Sequence, residues 1–538
     1  MTLPLSVYAA FSASVAAYPD NAFCCLPARP DRDWQPEGGE LSYAQAARRV
    51  EDLRAVYAAA GYGLGHRVGL LLDMRPEFLL HYLALNALGC GIVPINPDYR
   101  HDEMLYQMQH SEADLAVVLP HRLTDMQRVA AERTDKPLPV VDAMAMPAQL
   151  PRPQNPALTG NIGHDTECSL LYTSGTTGRP KGCILTNYYY LNAGAWYRDF
   201  GGLLEVHHGT DRFYNPLPLF HMNHQAITVT CAILTANCII LPERFSPTRW
   251  WREVAQTRAT IIHYLGVVPP LLLNQPNVPE ETAHCVRFGL GAGVEPQLHA
   301  AFETRFGFPL VEVWGMTETG RILADAWEPR QIDTRAFGRP MKDLEAKVVD
   351  ADGNEVPRGQ EGELLVRCAG PDPRRGFFSG YLKNQAATDE SWKGGWFHTG
   401  DAVRMAEDGM LYFVDRKKNI IRRSGENIAA AEVEAVLQAH DAVAQVAVLA
   451  VKDELREEEV MACIVPMPGH GADLALAEAL FDWCNQRLAY YKAPGWLLFL
   501  DALPTTGTQK VQKTQIFKHS EDPRQRPGCI DLRQRKRR

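Results

Sequence analysis

The sequence predicts an α/β protein of more than one domain, with parallel sheets in its larger part. Three observations predict it. At 538 residues the chain is long for a single domain. From Arg67 to Val313 short apolar runs alternate with helical patterns, the signature of β-α-β units. Beyond Pro340 the texture turns to short strands and tight turns, and beyond Asn419 to a compact mixture of helices and strands.

Taken in order, the apolar N-terminus has the hydropathy of a signal peptide, but its first basic residue is Arg29 and Pro4 interrupts it. An amphipathic helix near Val7 to Ala17 is the better reading. Arg67 to Leu72 reads as a buried strand, and Pro76 opens a helix running to about Leu88. Gly89 to Gly91 stop it before the strand Ile92 to Ile95. A helix near Asp102 to His110 leads to the strand Leu115 to Leu119, and Pro147 to Pro156 forms a linker. The alternation resumes with a helix at Gln225 to Ala236, a strand at Cys238 to Leu241, a helix at Pro247 to Arg258 and a strand at Thr260 to Tyr264. Val286 to Leu290 (strand), Pro296 to Phe306 (helix) and Leu310 to Val313 (strand) follow. Asp352-Gly353 is a hairpin signal between Leu344–Val349 and Glu363–Arg367. The last part carries helices at Ala430 to Ala439 and Leu474 to Leu488. Its strands are Val443 to Val451, Val460 to Val465 and Trp496 to Leu500. The Arg-rich stretch Asp522 to Arg538 reads as a solvated, disordered end.

Composition bounds the function. Apolar residues make up 46% and charged residues 22%, which is ordinary for a globular protein with a large core. A net charge of −9 argues against a general nucleic-acid binder. Twelve cysteines without C-x-x-C pairs suggest neither a zinc site nor a disulfide framework. No run of eighteen apolar residues is present, so a cytoplasmic protein without a membrane span is expected.

The run Thr173, Ser174, Gly175, Thr176, Thr177, Gly178, followed by Lys181, combines what a polyphosphate needs. Glycines let backbone N–H groups approach an anion, hydroxyls add donors, and the lysine adds a point charge. The spacing differs from a Walker A loop. Pro216-Leu217-Pro218-Leu219-Phe220-His221 ends in a histidine that reads equally as pocket wall or hydrogen-bonded core residue. Gly289-Leu290-Gly291-Ala292-Gly293 follows a buried strand; it reads as a tight turn that also admits a flat ligand. Val313-Trp314-Gly315-Met316-Thr317-Glu318 brings an aromatic, a hydroxyl and a carboxylate together, the last also readable as a solvated turn residue. Asp401 closes Gly395-Trp396-Phe397-His398-Thr399-Gly400-Asp401. A basic run from Asp415 includes Arg416, Lys418 and Gly425, and Lys510 follows Pro504-Thr505-Thr506-Gly507-Thr508-Gln509.

In that order these segments resemble the adenylate-forming superfamily, in its acyl-CoA synthetase (AMP-dependent CoA ligase) branch, over roughly Tyr43 to Lys513. The resemblance implies a large multi-subdomain N-terminal domain with parallel sheets and a small β-barrel-like part (1–417). A small, mobile α+β C-terminal domain (418–520) and the basic tail (521–538) complete the chain. It implies ATP, Mg²⁺ and CoA as cofactors and a small-molecule carboxylic acid as substrate, with a homodimer as a possible assembly. The phosphate loop would hold the departing pyrophosphate, and Gly291, Ala292, Gly293 and Trp314 would lie against adenine. Thr317 would contact the α-phosphate, Glu318 would coordinate Mg²⁺, and His221 would border the carboxylate pocket with Asn223 and His224 beyond it. Asp401 would hold the ribose, Arg416 would reach the ribose or phosphate, Lys418 would be the hinge, Gly425 would flank the pantetheine, and Lys510 would stabilise the adenylating transition state. Trp314 stands where Tyr is commoner, Gln509 where Gly is, and Asn187 where His is. The overall texture resembles the carnitine and crotonobetaine ligase branch. A stand-alone adenylation enzyme serving a carrier protein, a luciferase-like enzyme, and a non-catalytic ATP-binding scaffold are the alternatives.

Overall fold

A computed structural model describes residues 3–537, apart from 174–178, 267, 295, 342, 351, 417–419, 505–512, 514–515 and 518–520. The phosphate-loop residues Ser174 to Gly178, Lys418 and Lys510 therefore lie outside the described residues, as does the side chain of Arg416. The chain divides into two compact units. The larger comprises Met1–Pro97, Gln107–Leu171 and Gly182–Asp415; the smaller comprises Arg416–Arg538 with the short segments Asp98–Tyr106 and Tyr172–Lys181.

Two mixed sheets dominate the larger unit. One runs, neighbour to neighbour, through Ile322–Ala324, Leu310–Gly315, Phe288–Ala292, Ile261–Leu265, Arg212–Tyr214, Cys238–Ile240, Ala22–Leu26 and Gly39–Ser42. Its interior pairings are parallel, and only its two outermost pairs are antiparallel. The other holds Arg67–Leu71 between Gly91–Pro94 and Leu115–Val118, both parallel to it. The helix Pro76–Asn86 connects the first two of these strands. Proline at its first turn starts it, and it is buried on nearly every side. Both sheets thus follow the β-α-β alternation of the sequence. The β-rich stretch is a four-stranded antiparallel sheet, Leu344–Val349, Glu361–Cys368, Phe397–Met405 and Leu411–Arg416, with Gly353 at φ +87° in the first connection.

One helix differs in kind from the periodicity reading. Where Gln225 to Ala236 reads as one α-helix, Asn223–Val229 is a π-helix that passes into the α-helix Thr230–Leu234. The wider turn lets Thr228 Oγ1 donate to the carbonyl of Asn223, five residues back, at 3.1 Å while accepting from Asn215 Nδ2 at 2.8 Å. π-Turns of this kind concentrate at functional sites. The opening residue of the helix Asn187–Arg198 is structural: Asn187 Oδ1 accepts from Asn86 Nδ2 (2.8 Å) and Val7 N (3.3 Å).

In the smaller unit, Val443–Asp453, Glu457–Pro466, Trp496–Phe499 and the hairpin Ile420–Arg423/Glu426–Ala429 form a sheet covered by the helices Ala430–Gln438 and Leu474–Arg487. The basic tail is where the structure departs from expectation. Instead of a disordered end, Ile530–Asp531 adds an antiparallel strand to Trp496–Phe499. Its charges are met by acids distant in sequence: Arg533 by Asp453 at 3.0 Å, Arg535 by Glu478 and Asp482, and Lys536 by the fully buried Glu459. A local charge count registers the cations but not the receiving carboxylates.

Candidate active site

The hairpin Leu310–Gly315/Ile322–Ala324 carries most of the chemistry. Its register sets Gly315 opposite Ile322 and Trp314 opposite Leu323. Glycine is required at 315, because a Cβ there would come within 2.8 Å of the Arg321 carbonyl. In the turn between, Thr319 N and Oγ1 both donate to the carbonyl of Met316, at 3.1 and 3.0 Å. Tyr189 from the buried helix Asn187–Arg198 donates its hydroxyl to the Thr317 carbonyl at 2.6 Å, and Phe378 N donates to the Glu318 carbonyl at 2.9 Å. Thr317 and Glu318 are therefore both held through their backbone carbonyls. Tyr381, which has no signal in the sequence, donates its hydroxyl to Glu318 Oε1 at 2.8 Å. Burial and the neighbouring Glu318 push the Tyr381 phenol far above its ordinary range, so it stays a donor.

Trp314 and Asp401 meet across 87 residues: the indole Nε1–H donates to Asp401 Oδ2 at 2.9 Å. Asp401 sits in an irregularity of its strand, where the register against Glu361–Cys368 shifts and Gly400 adopts φ +71°. Such a bulge re-aims a side chain out of the pleat. Behind Trp314, Phe337 stacks at 6.1 Å with an interplanar angle of 29°.

The glycine turn is shaped by packing as well. A Cβ on Gly291 would lie 2.3 Å from the carbonyl of Tyr264 on the neighbouring strand, so glycine there serves the sheet. Beyond Ala292, the N–H groups of Gly293 and Val294 donate to Glu312 at 2.9 and 3.1 Å. Burial raises the Glu312 carboxyl, whose Oε1 also accepts from Tyr264 at 2.7 Å. Glu312 lies outside every recognised motif, and only the fold brings it to this turn.

His221 is half-buried at the entry to the π-helix, its ring 4.5 Å from that of Phe220. Next to it along the chain begins a polar group that is fully buried at His224 and His263. Asn223 Oδ1 accepts from Asn215 Nδ2 and lies 3.0 Å from His263 Nδ1, while His224 Nδ1 contacts the Leu217 carbonyl at 2.6 Å. Burial drives His224 down to about 4 and His263 to about 3, so both rings are neutral near pH 7. Both rings are fully buried, so they pack in the core and do not line an open pocket, which corrects the expectation that His224 lies along the acid's pocket. His263 is a strand residue with no sequence signal beyond its chemistry.

Thr173 ends the strand Glu167–Thr173 and Lys181 begins Lys181–Thr186, one before and one after Ser174 to Gly178 in the chain. Gly425 lies in the two-residue turn Ser424-Gly425 between Arg423 and Glu426, with φ of +50° and +86°. Two positive-φ residues are the pattern of a type I′ hairpin, so glycine here answers a demand of the turn itself.

Among the described residues no group of three or more His, Cys, Asp or Glu side chains could cage a metal ion. A lone, oriented carboxylate such as Glu318 fits Mg²⁺, which keeps several waters and is shared with substrate phosphates rather than enclosed by protein.

Comparison with known proteins places these features in context. A family model described as AMP-binding enzyme matches residues 11–382, and one described as AMP-binding enzyme C-terminal domain matches 432–510. The crotonobetaine/carnitine–CoA ligase of Citrobacter koseri is 31% identical over 498 residues, covering 89% of this chain and 93% of that protein. The Proteus mirabilis protein of the same name is 29% identical over equal coverage. The fold is similar to that of o-succinylbenzoate CoA synthetase from Bacillus subtilis, with TM-score 0.79 and 24% identity, covering 94% of this chain and 97% of that one. An amide bond synthetase from Marinactinospora thermotolerans matches equally well, with TM-score 0.79, 24% identity and coverage of 94% and 98%.

Proposed function

The chain belongs to the AMP-binding enzyme family, as an AMP-forming carboxylate–CoA ligase, and on that premise we propose that it activates a compact, partly polar carboxylic acid. The reading is carried by the hairpin that presents Thr317, Glu318 and Trp314, with Trp314 bonded to Asp401. The acid's carboxylate attacks the α-phosphorus of ATP, giving an acyl-adenylate and pyrophosphate. CoA thiolate then attacks the acyl carbon and AMP leaves.

In this reading Asp401 accepts hydrogen bonds from the ribose hydroxyls, and Trp314 with the turn Gly291-Ala292-Gly293 borders the adenine. The Thr317 hydroxyl donates to an α-phosphate oxygen. Glu318, its carboxylate turned by Tyr381, would hold Mg²⁺, which supplies charge stabilisation on the phosphoryl oxygens. Thr173 to Gly178 and Lys181 receive the departing pyrophosphate, and Lys510 stabilises the charge that builds during adenylation. The hinge role of Lys418, the ribose or phosphate contact of Arg416 and the Gly425 turn in the thioester step complete the assignment. Different parts of the C-terminal unit thus serve different half-reactions.

For the acid, the supporting observation is the pair of partly exposed polar side chains His221 and Asn223 at the entry to the π-helix. A long alkyl chain would favour a continuous aliphatic channel instead. The names of the curated relatives, which act on crotonobetaine and carnitine, agree with a short polar acid. The test is AMP formation across a panel of acids, with and without CoA, read together with thioester formation. AMP and thioester appearing only with a compact acid support the reading. AMP without thioester points to a carrier-protein acceptor, and no AMP with any acid to a scaffold. Palmitate as the best substrate by kcat/KM overturns the substrate class.

A further inference from the structure

We propose that Trp314 is a positioning residue whose indole N–H fixes the rotation of the Asp401 carboxylate for recognition of the ATP ribose. The inference rests on the reading of Asp401 as the ribose acceptor and adds to it a residue that acts through Asp401.

A carboxylate turns easily about its terminal torsion, which is broad and two-fold rather than staggered. To accept from two neighbouring hydroxyls at once it has to be held in one plane. Trp314 Nε1 lies 2.9 Å from Asp401 Oδ2, and both residues are 6% exposed, so water competes little for that bond. The indole is itself well fixed, by its pairing opposite Leu323 and by stacking on Phe337. A carboxylate offers about four lone-pair sites, so the bond to the indole does not by itself exhaust its capacity to accept. The geometry also gives a purpose to tryptophan at 314. An indole carries its donor on the side of the ring, where Asp401 lies, whereas a tyrosine carries its donor at the tip and phenylalanine has none. A buried indole usually finds some acceptor, so the test has to separate orientation of Asp401 from simple satisfaction of the N–H.

The experiment measures binding of ATP, 2′-deoxy-ATP and 3′-deoxy-ATP to the full-length protein by calorimetry, for wild type, Trp314→Phe, Asp401→Ala and the double variant. Trp314→Phe is expected to weaken ATP about tenfold more than it weakens the deoxy analogues, the scale of one hydrogen bond to a carboxylate, since any change in the adenine contact is common to all three. Asp401→Ala should erase the preference for ATP, and adding Trp314→Phe to it should change the three affinities alike. Equal weakening of all three nucleotides by Trp314→Phe, or no weakening of any, overturns the proposal. Failure of the ribose reading looks different: wild type and Asp401→Ala would then discriminate alike, and the proposal falls with it. If Trp314→Phe does not fold, β-(3-benzothienyl)alanine at position 314 replaces N–H by sulfur within the same ring outline. The same pattern across the three nucleotides is required of it.

Discussion

The hydroxyl of Tyr381 reaches Glu318 Oε1 at 2.8 Å from a strand 63 residues further along the chain. This bond makes the candidate Mg²⁺ ligand an oriented one. Glu318→Ala is expected to depress acid-dependent pyrophosphate release at every Mg²⁺ concentration. Tyr381→Phe should raise the Mg²⁺ needed for half-maximal rate about tenfold, the usual penalty for losing a partner of a metal ligand, with kcat at saturating Mg²⁺ largely kept. A Mg²⁺ titration of pyrophosphate release checks both, and an unchanged requirement in both variants removes Glu318 from the metal site.

The left-handed turn at Gly425 changes how its role is tested. Leucine there would strain the hairpin whatever CoA does, so Gly425→Leu should lower the melting temperature and impair both half-reactions. Asparagine tolerates positive φ. We expect Gly425→Asn to preserve the fold and slow thioester formation from preformed acyl-adenylate while adenylation continues. Lys510→Ala should do the opposite, slowing adenylation by about 10²–10³-fold while thioester formation from supplied adenylate persists. If both substitutions impair the two steps equally, the assignment of separate parts to separate steps is wrong.

Two buried neutral histidines predict acid sensitivity. His224 and His263 are held at about 4 and about 3, whereas an unfolded chain protonates histidine near 6.5. Above pH 6.5 both states are unprotonated and the histidines cost nothing. Between pH 6.5 and about 4 only the unfolded state gains protons, so stability falls as pH falls, by about 1.4 kcal/mol per pH unit for each histidine. Urea unfolding of the protein at a series of pH values from 7 to 4 should show this slope. His263→Gln should flatten it, and a slope identical to wild type would place His263 in a solvated environment.

In the smaller unit one buried carboxylate serves two cations: Glu459 accepts from Arg423 Nε at 2.7 Å and from Lys536. Burial pushes the lysine down to about 7, because arginine cannot yield its proton and lysine can. Removing the carboxylate should therefore cost far more than removing the lysine. Glu459→Gln leaves two cations without their shared partner and is expected to destabilise by about 3–5 kcal/mol. Lys536→Met leaves the Arg423–Glu459 pair intact and should cost about 1 kcal/mol or less. Denaturant midpoints of the two variants decide it; equal losses would mean that Lys536 carries as much of the network as Glu459.

The alternation of strands and helices, the change of texture after Pro340 and after Asn419, and the motif residues that suit a nucleotide are legible in the sequence. These are local properties. Apolar periodicity sets which face a strand or helix buries, and glycine and proline punctuate it within a few residues. The remaining features depend on partners far apart in the chain. Gly291 is required by a carbonyl on the adjacent strand, and Gly425 by the handedness of its turn. The basic tail is ordered because Asp453, Glu459, Glu478 and Asp482 receive its charges. Trp314 and Asp401, each recognisable alone, become a pair only when a hairpin and a bulged strand bring an N–H within 2.9 Å of a carboxylate. Hydrogen bonds and ion pairs act over a few ångströms, and separation along the chain carries no information about that distance until the fold closes it.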